Sequence, residues 1–242
     1  MKRLHLSVLG LCPLVLAACG STPVTPEPEE RGPGGSNGAG TTQAEEAFRS
    51  LLSDMGVTYL PDQRALEVPG WVNMREGLVE VFACAPGGKT HEAVVVIDCV
   101  PSALHAGLIA LGLEPGTPAE VGTDGEYRMP TGDGVVISLR WEDEAGAPRT
   151  ARAEDWIWDA LQEQSMPHCS WIFAGSFLQD TGKESQTYAA NYIKSIVTTY
   201  HDASSILENP LSQGVDDTVY YSNDKAVPPV GTTVTVVFRP AG

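Results

Sequence analysis

Apolar residues in this chain fall in short, separate groups, most with the two-residue rhythm of strands. In "VVISLRWE", Ile137, Leu139 and Trp141 alternate with Ser138 and Arg140, the pattern of a half-buried antiparallel strand. "DEAGAP" then turns the chain into a partner strand at 149–153. Segments 57–60 and 65–68 read as strands around a turn at Pro61 and Asp62. Segments 77–83 and 92–97 read as strands flanking "CAPGGKTH", and 94–97 is apolar at every position, which predicts cover on both faces. Further strands are predicted at 170–176, 195–200, 218–222 and 233–239.

Helical spacing is rarer. Leu104, Leu108 and Leu111 recur at i, i+4, i+7, Pro101 opens the segment, and Gly112 and Pro115 end it. A shorter helix is predicted from Phe48 to Met55, stopped by Gly56. Glu154 and Asp155 favour the start of another, running to Leu161, because acids suit a helix N-terminus. Asp202 reads as the N-cap of one or two turns ending before Pro210. Strands dominate, and no regular strand–helix alternation or internal repeat appears. The expectation is an α+β fold: a single, mainly antiparallel-sheet domain with a few short helices.

The first residues have a different character. Lys2 and Arg3 precede a largely apolar run to Leu16, too short to span a bilayer, and small residues lead to Cys19. "LAAC" resembles the bacterial lipobox, in which the signal is cut before a cysteine that is then acylated. The resemblance implies a signal peptide at 1–18 and a palmitate-bearing lipoprotein anchored through Cys19, held by roughly 0.8 kcal/mol per buried CH₂. No aspartate follows Gly20 and Ser21 at once, which in a Gram-negative cell implies the outer membrane. Residues 20–45, rich in Pro, Gly, Ser, Thr and Glu, bury too little to offset chain entropy, so 19–45 is expected to be a disordered tether of about 28 Å r.m.s.. The folded domain is expected over 46–242, the size of one domain.

Charge narrows the partners. The chain has 15 basic and 31 acidic side chains, a net charge of −16. Loss of Lys2 and Arg3 with the signal takes it to −18. Such a surface repels phosphate backbones and excludes nucleic acid as the expected partner. The expected partners are the membrane, through the anchor, and an envelope ligand or protein that the sequence does not specify.

"VPGWVNMREGLVEVFACAPGGKTHEAVVVID", "SALHAGLIALGLEPG", "WIFAGSF", "YHDASSILENPL" and "VPPVGTTVTVVFRP" together resemble the YdjY-domain family of bacterial envelope proteins, from about Val57 to Pro240. The likeness implies an exported single domain and supplies no mechanism. A ferredoxin-like label attached to some members does not suit this chain, because cluster ligation needs about four closely spaced cysteines. After the anchor only Cys84, Cys99 and Cys169 remain, an odd number that permits at most one internal disulfide.

The most chemical-looking stretch is "GGKTHEA" at 87–93. A P-loop would need glycine at position 83, which is Ala83, and a helix where 92–97 is strand-like. A zincin helix would need a second histidine after His91-Glu92 and has none. The remaining reading is a hairpin tipped by Gly87-Gly88. That register sets Cys84 across from His91, with Cβ atoms about 5 Å apart, and leaves Lys89 and Glu92 as solvated turn charges. Cys84, His91 and, from the margin of the helical stripe, His105 are therefore the candidate catalytic or metal-binding set.

Other residues carry weaker signals. His168 and Cys169 are adjacent and chelate poorly; Trp71, Trp141, Trp156, Trp158 and Trp171 suit either a groove or the core. Three functions follow from these readings. The first is a non-catalytic binding or interaction module of the envelope, with no cofactor predicted. The alternative is a metal- or thiol-dependent enzyme using Cys84, His91 and His105, with a transition metal as its cofactor. A structural subunit of an envelope assembly is a third.

Overall fold

The structure is a computed structural model that describes residues 37–180, 182 and 186–242, with side chains from Thr42 onward. Cys19, the expected signal peptide at 1–18 and residues 20–36 of the expected tether lie outside the described residues. Eight strands form the body: β1 (Ala65–Val72), β2 (Val81–Cys84), β3 (Ala93–Ile97), β4 (Gly134–Glu142), β5 (Trp171–Phe173), β6 (Ser195–Thr198), β7 (Leu207–Glu208) and β8 (Thr233–Pro240). They pair in the order β1-β8-β4-β5-β7-β6-β2-β3, and β3 pairs back onto β1. The sheet is thus a closed eight-stranded barrel of mixed sense, with β2/β3 and β6/β7 parallel and the other neighbours antiparallel.

This overturns the expected α+β domain built on a mainly antiparallel sheet. The deciding feature is the second half of β1. Pro69-Gly70 has the composition of a strand end, yet β1 continues through it to Val72. The Pro69 carbonyl accepts from the Asp98 N–H (2.7 Å), and Gly70 pairs with Ile97. A Cβ at Gly70 would lie 2.4 Å from the Val96 carbonyl oxygen, so only glycine lets β3 approach this closely. At this seam the sheet closes and leaves no open edge there.

The ring has an approximate two-fold plan. Exchanging β1, β2, β3 and β8 for β5, β6, β7 and β4 reproduces every pairing and its sense. The two parallel pairs are joined by links of equal length, 85–92 and 199–206. Both are shorter than the dozen or so residues a parallel crossover normally needs; the strands they span are only two to five residues long.

An eight-stranded barrel is just wide enough for side chains to fill. Leu66, Val68, Phe82, Ile137, Leu139, Trp171, Phe173, Val236 and Phe238 do so and are fully buried. β4 keeps its expected alternation and pairs with 148–152 outside the ring. The strand at 58–60 pairs with β1 around a 3-10 turn at 61–63, as expected.

Helix α1 (Asn37–Asp54) begins well before Phe48 and takes in 37–45 of the stretch read as tether. Helix α2 (Pro101–Ala110) matches its signals, with Pro101 in the first turn and Gly112 at φ +87° just beyond its end. It lies close to β1 because Gly107 leaves room for Leu66. Helix α3 (Ala189–Ile193) follows a hairpin of strands 178–180 and 186–188. The helix expected from Glu154 to Leu161 is a 3-10 turn at 153–156 followed by a strand, and no helix forms between Asp202 and Pro210.

Candidate functional site

The parallel sense of β2 and β3 removes the expected hairpin. Cys84 pairs with Val96 and Ser195, not with His91. Its thiol is buried in the barrel wall among Val81, Ala93 and Val96, and that burial pushes its pKa up to about 11. His91 sits on a 3-10 turn with its side chain 78% exposed, 3.6 Å from Glu92. His105 lies on α2 and bonds to Tyr188. The three sequence candidates have separate surroundings, and no three His, Cys, Asp or Glu side chains among the described residues are arranged to hold a metal ion.

Lys89 and Glu92 are not solvated turn charges. The Lys89 ammonium lies 3.3 Å from Glu92, 3.7 Å from Asp202 and 3.8 Å from Glu80, with only 35% of its side chain exposed. It ties the link 85–92 to the link 199–206. Burial, and then the neighbouring Glu92 charge, raise the Glu80 pKa while Lys89 opposes them.

The link 199–206 turns its polar groups inward. Thr199 donates to the Val79 carbonyl (2.6 Å), and the Thr198 and Ser205 hydroxyls bond at 3.0 Å. Asp202 accepts from the Ser204 N–H (2.9 Å) and hydroxyl (2.5 Å), a local turn that replaces the expected N-cap. His201 Nδ1 bonds Glu208 Oε2 at 2.9 Å, and both side chains are buried. The Tyr127 ring, from the hairpin of strands 120–121 and 127–128, lies 5.4 Å from the imidazole. Burial, and after it the Glu208 charge, push the Tyr127 pKa up to about 12. Gly214 completes this nest, since a Cβ there would meet His201 Nε2 at 2.5 Å.

Two pockets open on either side of Phe177. One, of about 520 Å³, is lined by Lys89, Tyr200, His201, Asp202 and Ile193. The other, of about 440 Å³, is lined by Ser102, His105, Gly175, Ser176, Leu178 and Tyr188. Phe177 is 43% exposed and Leu178 61% exposed. Apolar walls with a few fixed polar groups are what small-ligand sites are made of.

The other sequence signals resolve as structure. His168 bonds Asp155 at the surface (2.7 Å). Cys169 Sγ lies 3.6 Å from Glu154, a buried carboxylate that also accepts from the Trp171 indole and from Arg152. Trp156 and Trp171 are core residues. Trp141 and Trp158 are half-buried, and Trp71 is partly exposed. Cys84, Cys99 and Cys169 are free thiols.

Sequence reasoning missed Phe177, Tyr188 and Glu208. A lone Phe just past the strand expected at 170–176 was a signal for Phe177; the other two carry none that is local.

The family model described as the YdjY domain matches residues 61–239. Neither a curated protein nor a solved structure matches the chain.

Proposed function

The chain belongs to the YdjY-domain family, and we propose that it serves there as a non-catalytic binding module, held at the cell envelope by a lipidated Cys19. The signal-like N-terminus and the lipobox resemblance support an exported, membrane-tethered protein that recruits an envelope ligand or protein, and the net negative charge disfavours nucleic acid as that partner. The observation that carries the binding role is the pair of pockets sharing the exposed Phe177. An exposed aromatic between two part-polar cavities gives a ligand apolar contact area with fixed points of orientation. The alternative enzyme, built on Cys84, His91 and His105, gains no support from their positions in wall, exposed turn and pocket.

The test uses mass action. A component that binds only the folded state raises its melting temperature. Fractions of bacterial envelope extract added to the purified protein should contain one that raises Tm, and Phe177→Ala should lose that rise while keeping its own Tm within a few degrees. No active fraction, or an equal rise in Phe177→Ala, would overturn the reading. Separately, Cys19→Ala should move the protein from the membrane to the soluble fraction. Mass spectrometry showing an unmodified Cys19 in the mature protein would remove the anchor.

A further inference from the structure

The pocket at His105 has a hydrogen-bonding polarity that its neighbours determine. The Gly175 carbonyl can only accept, and the Tyr188 hydroxyl lies 3.0 Å from it, so the phenol's single proton is committed there. The same hydroxyl oxygen lies 2.7 Å from His105 Nδ1. With its proton already placed it can only accept from that nitrogen, so Nδ1 carries the ring proton. In a neutral imidazole Nε2 is then a bare lone pair; the Gly175 carbonyl beside the ring can only accept and does not satisfy it.

Packing fixes the ring in that role. It stands edge-on to Phe173 (5.0 Å) and to Tyr188 (5.4 Å). Gly175 and Ser176 are consecutive left-handed residues, at φ +87° and +56°, a conformation that costs free energy at a non-glycine position. It sets the Gly175 carbonyl where Tyr188 needs it. Burial lowers the His105 pKa, opposed by the Gly175 carbonyl, so the neutral ring prevails at neutral pH.

Ser176 is occupied in holding the fold, and Ser102 is engaged as an acceptor only. Ser176 donates to the Ser204 carbonyl (2.7 Å) and accepts from the Ala190 N–H (3.2 Å). Ser102 accepts from the Asn191 amide (3.0 Å). Phe177 and Leu178 supply the apolar wall.

We propose that this pocket takes a neutral N–H or O–H donor carried on an apolar body, with His105 Nε2 as the acceptor. The proposal rests on the binding role above and gives its ligand a chemical class. A carboxylate or phosphate finds a lone pair facing it, and a purely apolar group leaves that lone pair unmatched.

Indole and 1-methylindole differ by the one proton at issue and serve as probes on the full chain. Nitrogen-15 NMR of the histidine rings should first show His105 as the Nδ1–H tautomer at neutral pH. Indole should then shift the His105 Nε2 resonance saturably and bind at least tenfold more tightly than 1-methylindole. Phe177→Ala should weaken both probes. An Nε2–H tautomer, equal affinity of the two probes, or binding by neither overturns the proposal. Shifts confined to the Lys89–Asp202 pocket, with His105 unmoved, would overturn the ligand class and leave the binding role standing.

Discussion

The links 85–92 and 199–206 occupy equivalent places in the barrel and do opposite work. Link 85–92 carries the residues that suggest chemistry, Gly-Gly-Lys-Thr-His-Glu, and sends His91 into solvent. Link 199–206 has an ordinary sequence and buries a hydroxyl network, an Asp-centred turn and the His201–Glu208 pair. They meet at Lys89, whose ammonium lies among carboxylates from β2's approach and from both links. Motif-like sequence and structural weight thus sit on different halves of one quasi-symmetric plan. A glycine-rich link needs no buried partners to turn, whereas a link folded under a hairpin must pair most of the polar groups it covers; among those described, His201 Nε2 and Glu208 Oε1 stay buried without a hydrogen bond.

Breaking link 199–206 should have the largest effect. Glu208→Ala leaves a buried imidazole without its acceptor and should cost about 3–5 kcal/mol, the usual result of orphaning one member of a buried pair. Urea unfolding reads this directly. His201→Ala should cost a similar amount, and the double variant should cost less than the sum, since each single change already removes the shared contact. Additive costs would mean that the pair is not a unit.

The clamp between the links comes next. Lys89→Met should cost about 1 kcal/mol at neutral pH, as expected for a partly exposed ionic network. Because the folded state raises the Glu80 pKa, Glu80 favours folding at low pH, where it is protonated, and that contribution is lost as pH rises through the raised value. Lys89 offsets the resulting charge. The Lys89→Met penalty should therefore grow from acid to neutral pH; a penalty constant across that range would show that Lys89 acts through packing alone.

The smallest effect belongs to the most eye-catching residue. His91→Ala should change stability by less than about 0.5 kcal/mol, as do most exposed substitutions. A loss comparable with His201→Ala would mean that link 85–92 is as deeply engaged as link 199–206 and would erase the contrast.

The same division runs through the fold. Helix α2 was legible because Pro101, the leucine spacing and Gly112 all act within a few turns of one another. The pairing of β4 with 148–152 was legible for the same reason: a short turn brings neighbours together. Two strands around Gly87-Gly88 have the same local features as a hairpin, but β2 and β3 run parallel, and the register that set Cys84 beside His91 disappeared with the hairpin. Pro69-Gly70 read as a strand end because the reason for its glycine, the Val96 carbonyl, lies far along the chain.

The sequence by itself determined the helix α2, most strand positions, the acidic surface and the family likeness, since each depends on local spacing or on composition. Tertiary structure decided the closure of the barrel, the sense of its two parallel pairs and the identity of the pocket. His105 and Tyr188, like Lys89 and Asp202, are far apart in sequence. Bringing such residues together costs loop-closure entropy that only the completed core repays, so no local propensity reveals which distant pairs will meet.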